Sequence, residues 1–261
     1  LTGLSFKESG LWEQCIGDDK RPIAFVANSG NDSVARIDLC VGEIKNTHIS
    51  GNPFVVSHIT VGSFPCNVTT SADAGDTRVF VANCGEASLS VIESKTGQTL
   101  PDKVTLDGTP MKLISVPDAE VAEGRVLVSL PQLGSLAVVT KGSNDQGQEA
   151  WFQTGRIPLA NDTVSKPLPG GMALSPEGEK LYISDMNSDY FMILDLAHPE
   201  FPPAVRDVYG PSRDLSVSPD GRYLYISKLD KRQVAVYDLI SDRYIDTNEE
   251  MLSHRNGPPP S

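Results

Sequence analysis

The six residues Ile23-Ala24-Phe25-Val26-Ala27-Asn28 recur with small changes along the chain. The other copies are Arg78–Asn83, Arg125–Leu130, Lys180–Asp185 and Tyr223–Lys228. In every copy the third residue is aromatic or Leu, the fourth is Val or Ile, and the fifth is Ala or Ser. A large side chain two positions before a small one lets strands interlock on one face, while the β-branched residue packs on the other. The pattern therefore predicts a strand that is covered on both faces.

A second strand follows each copy in a constant register. The sixth residue after each copy is apolar: Val34, Leu89, Leu136, Phe191 and Val234. The tenth residue after each copy carries an oxygen atom in its side chain: Asp38, Glu93, Thr140, Asp195 and Asp238. Such a side chain can accept hydrogen bonds from the next turn and so end the strand. Five hairpins of equal length are therefore predicted.

The copies start 55, 47, 55 and 43 residues apart, which is the length of a four-stranded propeller blade. We therefore predict an all-β fold, a β-propeller of four-stranded antiparallel blades, with five blade hairpins visible. Residues 1–10 are predicted to be an N-terminal extension and residues 11–250 one propeller domain. Residues 251–261 are rich in Pro and are predicted to start a further blade or to form a tail.

Turn motifs separate the predicted strands. Ser175-Pro176-Glu177-Gly178 and Ser218-Pro219-Asp220-Gly221 combine a Pro that presets the first turn angle with a Gly that accepts positive φ. Each motif joins the first strand of a blade to the repeated strand. The loops before the first strands contain Gly and Pro, as in Gly62-Ser63-Phe64-Pro65 and Gly210-Pro211. We call these segments the first-strand loops.

These motifs resemble the Tyr-Val-Thr-Asn (YVTN) β-propeller repeat family, which overlaps with the lactonase-like propellers. The resemblance rests on Phe25-Val26-Ala27-Asn28, Phe80-Val81-Ala82-Asn83, the Gly-x-x-Pro loops and residues 218–227, and it covers about residues 11–250. Members of this family serve as extracellular and periplasmic binding modules, surface-layer components, lactonases or quinoprotein-like dehydrogenase subunits. Because such propellers close with about six to eight blades, the resemblance implies a larger ring. A closed five-bladed ring with a Pro-rich tail is the alternative.

The charge of the chain limits its partners. With 34 acidic and 22 basic residues, the net charge is −12. An acidic surface repels phosphate backbones and anionic lipid, so nucleic acid and membrane surfaces are poor partners. No apolar stretch has the length needed to cross a bilayer. The chain starts at Leu1 instead of an initiator Met, and we expect it to be processed or trimmed there.

Four cysteines, Cys15, Cys40, Cys66 and Cys84, allow three pairings. If residues 66–70 pair antiparallel with residues 78–84 so that Thr70 faces Phe80, Cys66 faces Cys84. This predicts a Cys66–Cys84 disulfide. The pair Cys15–Cys40 follows by elimination, and four unrelated buried thiols are the alternative. Disulfides indicate an oxidising compartment, so the protein is predicted to be periplasmic or extracellular.

The first-strand loops and the turns inside the hairpins should meet at one end of the blades, at the mouth of the central channel. This end is the default ligand site of a propeller. Its polar residues of both charges suit recognition of a protein or glycan surface. The predicted ligand- or partner-binding face consists of Asn28, Asn31, Asp32, Asn83, Glu86, Gln132, Asp185, Asn187, Asp189, Arg213, Lys228, Asp230 and Arg232.

Within this face, Asp185-Met186-Asn187-Ser188-Asp189 alternates oxygen donors like the opening of a calcium loop. Tyr190 stands where such a loop needs Gly, and Leu196 stands where it needs Glu. A polar hairpin turn is therefore the preferred interpretation, with calcium bound by Asp185, Asn187 and Asp189 as the alternative. No other cofactor is predicted.

The four histidines, at positions 48, 58, 198 and 254, fall in predicted outer strands or connections, which disfavours catalysis by a His base. Trp12, Trp151 and Phe152 lie outside the hairpin pattern and are expected to cover blade edges, whereas an exposed Trp151 would indicate an interaction surface. We predict a non-catalytic, extracytoplasmic binding or scaffolding module whose partner is another protein, a glycan or the remaining blades of a larger chain. The alternative is a lactonase-like or quinoprotein-dehydrogenase-like enzyme with its site at the channel mouth.

Overall fold

The computed structural model describes residues 4–5, 23–38, 55–71, 78–117, 124–229 and 232–245. These residues form five four-stranded antiparallel sheets, in each of which the strands are neighbours in chain order. Sheet 1 contains β1 (Leu4–Ser5), β2 (Ile23–Asn28), β3 (Ser33–Asp38) and β4 (Val55–Thr60). Sheet 2 contains β5 (Pro65–Thr70), β6 (Arg78–Asn83), β7 (Ser88–Glu93) and β8 (Val104–Thr105).

Sheet 3 contains β9 (Leu113–Val116), β10 (Arg125–Leu130), β11 (Ser135–Ser143) and β12 (Glu149–Pro158). Sheet 4 contains β13 (Pro169–Leu174), β14 (Lys180–Asp185), β15 (Tyr190–Asp195) and β16 (Ala204–Asp207). Sheet 5 contains β17 (Ser212–Val217), β18 (Tyr223–Lys228), β19 (Val234–Asp238) and β20 (Arg243–Ile245). The predicted class, all-β with four-stranded antiparallel blades and five hairpins, is confirmed.

The chain divides into two compact units, Leu1–Ile157 with sheets 1 to 3 and Pro158–Ser261 with sheets 4 and 5. Two residues of the predicted extension 1–10 form β1, in which Leu4 pairs with Val26 of β2. Residues 251–261 lie outside the part of the chain that the structure describes. Within the described residues, no helix has the length and apolar character needed to span a bilayer.

The predicted hairpin register is confirmed in all five sheets. In four sheets the first residue of the repeated strand pairs with the tenth residue after that strand. These pairs are Ile23–Asp38, Arg78–Glu93, Lys180–Asp195 and Tyr223–Asp238. In sheet 3, Val126 pairs with Val139, which is the same register one residue further in. The two predicted Gly turns also form, because Gly178 and Gly221 adopt positive φ and donate to the carbonyls of Ser175 and Ser218.

Each sheet has two apolar faces. The forward face carries the third residue of the second strand and the sixth residue after that strand, such as Phe25 and Val34 in sheet 1. The rear face carries the second and fourth residues of the second strand, such as Val79 and Val81 in sheet 2. Within the first unit, the forward face of sheet 1 packs on the rear face of sheet 2.

The same arrangement repeats in the other sheet pairs. Phe80 and Leu89 of sheet 2 share a buried cluster with Val126 and Val128 of sheet 3. In the second unit, Tyr182 and Phe191 of sheet 4 share one with Leu224 and Ile226 of sheet 5. In these three pairs the forward face of one sheet and the rear face of the next are therefore both covered, as the alternation of large and small residues predicted.

The Cys66–Cys84 disulfide is present, with 5.8 Å between the two Cα atoms. The register predicted for it was wrong by one residue, because Thr69 and not Thr70 pairs with Phe80. A bulge between Pro65 and Asn67 takes up the difference and brings Cys66 to Cys84. The predicted pair Cys15–Cys40 lies outside the described residues.

The large residue Trp151 is buried, with 4% of its surface exposed, so it is no interaction surface. Its ring packs edge-on against Phe80, with 4.6 Å between the ring centroids. Trp151 lies on β12, the last strand of sheet 3, and so covers the edge of the contact with sheet 2. Phe152 beside it is exposed, and Trp12 lies outside the described residues.

Candidate binding surface at the first-strand loops

In sheets 2, 4 and 5 the first-strand loop lies against the hairpin turn of its own sheet. In sheet 2 the backbone N–H of Cys84 donates to the carbonyl of Phe64 at 3.0 Å. The same bond recurs in sheet 4 from Met186 to Leu168 and in sheet 5 from Leu229 to Pro211, each at 3.0 Å. We call the first-strand loops and hairpin turns of one unit its loop end. The predicted binding residues that the structure describes lie in these segments or at the strand ends next to them.

A buried polar side chain at the end of the repeated strand holds each of these loops. In sheet 2, Oδ1 of Asn83 accepts a hydrogen bond from the backbone N–H of Gly62 at 3.1 Å. The Nδ2 atom of Asn83 donates to Ser88 Oγ at 2.8 Å and to Ser90 Oγ at 3.1 Å. Asn83 is fully buried. Its side chain is therefore committed to the loop instead of facing a ligand.

In the second unit, Asp185 and Lys228 hold the first-strand loops with a carboxylate and an ammonium group instead of an amide. Oδ1 of Asp185 accepts from the backbone N–H groups of Leu168 at 3.0 Å and Asn187 at 2.9 Å. Nζ of Lys228 donates to the backbone carbonyls of Val208 and Gly210. An amide, a carboxylate and an ammonium group thus hold equivalent loops from the same repeat position.

The hydrogen bonds within residues 185–189, the segment considered for calcium, are those of a polar turn. Besides the two bonds to Oδ1, Oδ2 of Asp185 accepts from Ser188 Oγ at 2.8 Å. Asn187 and Asp189 are exposed. Among the described residues, no three His, Cys, Asp or Glu side chains are grouped as metal ligands. Calcium binding at Asp185, Asn187 and Asp189 stays a prediction.

The other predicted residues differ in exposure. Those that are exposed are Asn31, Asp32, Gln132, Asn187, Asp189, Arg213 and Arg232, whereas Asn28 and Glu86 are half-buried. Asp230 lies outside the described residues. Asp32 has a structural role, because its Oδ1 accepts from the backbone N–H of Phe64 at 2.7 Å. The hairpin turn of sheet 1 therefore holds the first-strand loop of sheet 2.

Glu86 forms an ion pair with Lys103 at the first loop end. Its Oε1 accepts hydrogen bonds from Lys103 Nζ at 2.8 Å and from Ser88 Oγ at 2.7 Å. The hydrogen bond from Lys103 makes the largest contribution to lowering the pKa of the Glu86 carboxyl, and the bond from Ser88 lowers it further.

A Cβ atom added to Gly62 would overlap the side chains of Glu86 and Asn83, so only glycine fits this close approach.

Two exposed aromatic residues of the first-strand loops have left-handed backbone. Phe64 has a φ of 51° and 53% exposure, and Tyr209 has a φ of 57° and 60% exposure. Such a conformation costs a bulky residue about 1–3 kcal/mol and persists only where the surroundings enforce it. For Phe64, the surroundings are the bond that its N–H donates to Asp32, the bond that its carbonyl accepts from Cys84, and the adjacent disulfide. The loops thus fix the backbone that carries these two exposed aromatic side chains.

Tyr209 is fixed by contacts of the second unit. Its N–H donates to Asp207 Oδ1 at 2.7 Å, and its ring packs edge-on against Tyr244 with 5.7 Å between centroids.

Each loop end also contains an exposed leucine, Leu133 in the first unit and Leu229 in the second. The sequence-based list of polar residues omitted these apolar ones. The available signal was an aromatic residue directly before Pro or Gly-Pro in a turn-forming loop.

The histidines of the described residues lie away from the loop ends. His58 is exposed on β4, and His198 is exposed in the connection after β15, where it faces Glu200. Both positions agree with the predicted outer strands and connections. His48 and His254 lie outside the described residues.

No protein-family model matches the chain, and no curated protein matches it. Solved structures do. A functionally unknown protein from Desulfotomaculum acetoxidans DSM 771 is 13% identical with a TM-score of 0.61, and the match covers 89% of this chain and 67% of that one. Virginiamycin B lyase from Staphylococcus aureus is 12% identical with a TM-score of 0.59, covering 93% and 73%.

A chain of a nidogen–laminin complex is 16% identical with a TM-score of 0.59, covering 94% of this chain and 78% of that one. Identities at this level show a shared fold and nothing about activity. Together with the five four-stranded sheets, these similarities show that the chain has a β-propeller fold.

Proposed function

We propose that the protein is a non-catalytic, extracytoplasmic binding module of the YVTN type, whose loop ends bind another protein. The observation that carries this proposal is the display of Phe64 and Tyr209, two exposed aromatic side chains on strained loops that buried polar groups hold in place. In the unbound protein, an exposed aromatic residue with strained backbone contributes no free energy of stabilisation. Binding does benefit, because a loop whose backbone is fixed in advance loses little conformational entropy when its aromatic side chain enters a partner's pocket.

The composition of the loop ends supports a protein partner. Aromatic side chains are enriched among the residues that dominate binding energy, and they act within a rim of polar residues. Phe64 is accompanied by Leu133 in the same unit and by the Glu86–Lys103 ion pair. In the nidogen–laminin complex, a chain of similar fold takes part in a protein assembly.

The proposed location is the periplasm or the extracellular space. The support is the Cys66–Cys84 disulfide, which forms and persists in oxidising compartments. It lies beside Phe64 and so also stabilises the proposed binding loop.

Affinity capture from the periplasmic fraction or culture medium of the source organism tests the proposal. Three baits are compared: the wild type, the double variant Phe64→Ala/Tyr209→Ala, and the control Phe201→Ala. Phe201 is 63% exposed but lies in the connection between β15 and β16, away from the loop end. We expect the wild type and the control to retain the same partner, and the double variant to retain about tenfold less or lower.

Equal recovery by all three baits would contradict the proposal. Enzymatic removal of glycans from the captured partner separates the two ligand classes. Capture that survives deglycosylation supports recognition of a protein surface, whereas its loss assigns the site to a glycan.

A further inference from the structure

The forward face of sheet 5 is exposed, unlike that of the other sheets. Its two defining residues, Tyr225 and Val234, are 42% and 58% exposed. The equivalent pairs in sheets 1 to 4 are between 0% and 5% exposed. Those pairs are Phe25 and Val34, Phe80 and Leu89, Leu127 and Leu136, and Tyr182 and Phe191.

In three sheet pairs the structure shows what covers a forward face. Tyr182 and Phe191 of sheet 4 are buried in one cluster with Leu224 and Ile226, which belong to the rear face of sheet 5. The forward faces of sheets 1 and 2 are likewise covered by the rear face of the next sheet. The occupant of a forward face in this fold is therefore the rear face of the following sheet.

Sheet 5 is otherwise a regular member of the repeat. Tyr223 pairs with Asp238 in the common hairpin register, and Leu224 and Ile226 on its rear face are fully buried. Its forward face keeps a large aromatic and a β-branched residue at the positions that are buried elsewhere. Such a paired apolar surface on a regular sheet indicates a packing surface.

The position of the next loop motif agrees with this. In the sequence, Gly257-Pro258 follows Gly210-Pro211 by 47 residues, inside the range of 43 to 55 that separates the copies of the repeated strand. The similar chains from Desulfotomaculum acetoxidans and Staphylococcus aureus are also longer, since the matches cover 67% and 73% of them.

We infer that the forward face of sheet 5, centred on Tyr225 and Val234, packs on the rear face of a further four-stranded sheet of the same repeat, formed by residues that follow Pro258 in the natural protein. This sheet buries Tyr225 as sheet 5 buries Tyr182. The inference is independent of the proposed binding function, because it concerns the face of a sheet and not the loop ends.

Hydroxyl-radical footprinting of tyrosines, read by mass spectrometry, tests the inference with internal controls in one unit. Tyr182 is a buried reference at 5% exposure, and Tyr209 is an exposed reference at 60%. The natural protein isolated from its source is compared with a chain of residues 1–261. In the natural protein we expect oxidation of Tyr225 to be about tenfold slower than that of Tyr209 and close to that of Tyr182. In residues 1–261 it should be close to that of Tyr209 at every protein concentration.

Three results would overturn the inference. Rapid oxidation of Tyr225 in the natural protein would show that the face is open to solvent. Protection in residues 1–261 that increases with concentration would assign the face to a second copy. Protection there that is independent of concentration would assign it to a segment within those residues.

A photo-crosslinker in place of Val234 identifies the occupant in the natural protein. The inference requires an intrachain product that joins position 234 to a peptide that follows Pro258 and carries a further copy of the repeated strand; a product with one of the copies before Tyr223 would contradict it. An interchain product would contradict it.

Discussion

Glu149 on β12 joins sheet 3 to sheet 2 through a paired contact with Arg78 on β6. Oε1 accepts from Arg78 Nε at 2.8 Å, and Oε2 accepts from Arg78 Nη2 at 2.9 Å. Trp151 Nε1 also donates to Oε1, at 3.4 Å. The hydrogen bonds from Arg78 outweigh the effect of burial and lower the pKa of Glu149 to about 2. The negative charge of Glu149 thus compensates the positive charge of Arg78, whose side chain is nearly buried.

Substitution Glu149→Gln tests this contact by its pH dependence. The folded-state pKa lies below the ordinary value of 4.5, so the stabilisation is complete above about pH 5 and is lost as the pH falls toward 2. We expect the variant to lose about 1–3 kcal/mol of unfolding free energy at pH 7. The difference from wild type should shrink between pH 5 and pH 2 in urea titrations. Glu179→Gln, at an exposed carboxylate away from Arg78, controls for the general effect of removing one negative charge, and a constant difference between Glu149→Gln and wild type at every pH would refute the assignment.

Asn83 gives a second prediction at the residue scale. Replacement by Ala removes one of the two acceptors of the Gly62 N–H, the other being Ser90 Oγ, and leaves buried hydroxyl groups with fewer partners, which should cost about 1–3 kcal/mol. Amide hydrogen exchange in residues 61–65 should become faster. The control Gln132→Ala, at an exposed hairpin turn, should change stability by less than about 0.5 kcal/mol. Unchanged exchange in residues 61–65 would mean that Asn83 does not hold the loop.

At the scale of elements, the Cys66–Cys84 disulfide closes the hairpin of β5 and β6. The cysteines are 18 residues apart, and a loop of that length should contribute about 3 kcal/mol by limiting the unfolded chain. The double variant Cys66→Ser/Cys84→Ser should therefore unfold at a lower temperature than the wild type. Adding a reducing agent should lower the unfolding temperature of the wild type, because it breaks the Cys66–Cys84 bond that the variant no longer has. Equal unfolding temperatures of the oxidised wild type and the variant would contradict the prediction.

The contact between β13 and β17 depends on glycine. A Cβ atom added to Gly171 would lie 2.6 Å from Cα of Asp214 on the neighbouring sheet. Gly171→Ala must push the two strands apart and should cost about 1–3 kcal/mol. The matched control is Gly155→Ala on β12, where the new atom would meet Val138 at an ordinary 3.9 Å. Similar stability of the two variants in denaturant titrations would show that the sheets do not need this close approach.

The sequence predicts the hairpins well because each repeated strand has its own alternation and a fixed distance to its partner. The register of β5 against β6 was not predictable in this way, since the bulge at Cys66 adds an unpaired residue that no side-chain period reveals. The disulfide was still predicted, because a shift of one residue leaves both cysteines at the same end of the strand pair.

The candidate site was predicted only in part. Asn83, Asp185 and Lys228 are polar residues at turns, which suggested exposure, yet the sixth position of the repeated strand has the same parity as its buried second and fourth positions. Their side chains therefore point to the first-strand loops. Exposure of Phe64 and Tyr209 depends on their left-handed backbone, which the sequence pattern does not encode.

At the scale of the whole molecule, one packing rule relates the described sheet pairs: a forward face covers the next rear face. The rule explains why large residues recur at the third position of the repeated strand and small ones at the fifth. This packing uses residues of the strands, so the loops between strands can vary in sequence without disturbing it. The exposed residues Phe64 and Tyr209 lie in such loops.

Hydrogen–deuterium exchange of the protein with and without its captured partner tests the binding account most directly. The account predicts slower exchange on binding in residues 61–65 or 207–211 and in the adjacent hairpin turns, with the connection around Phe201 unchanged. Slower exchange confined to the last strands of the sheets, with both first-strand loops unaffected, would contradict it.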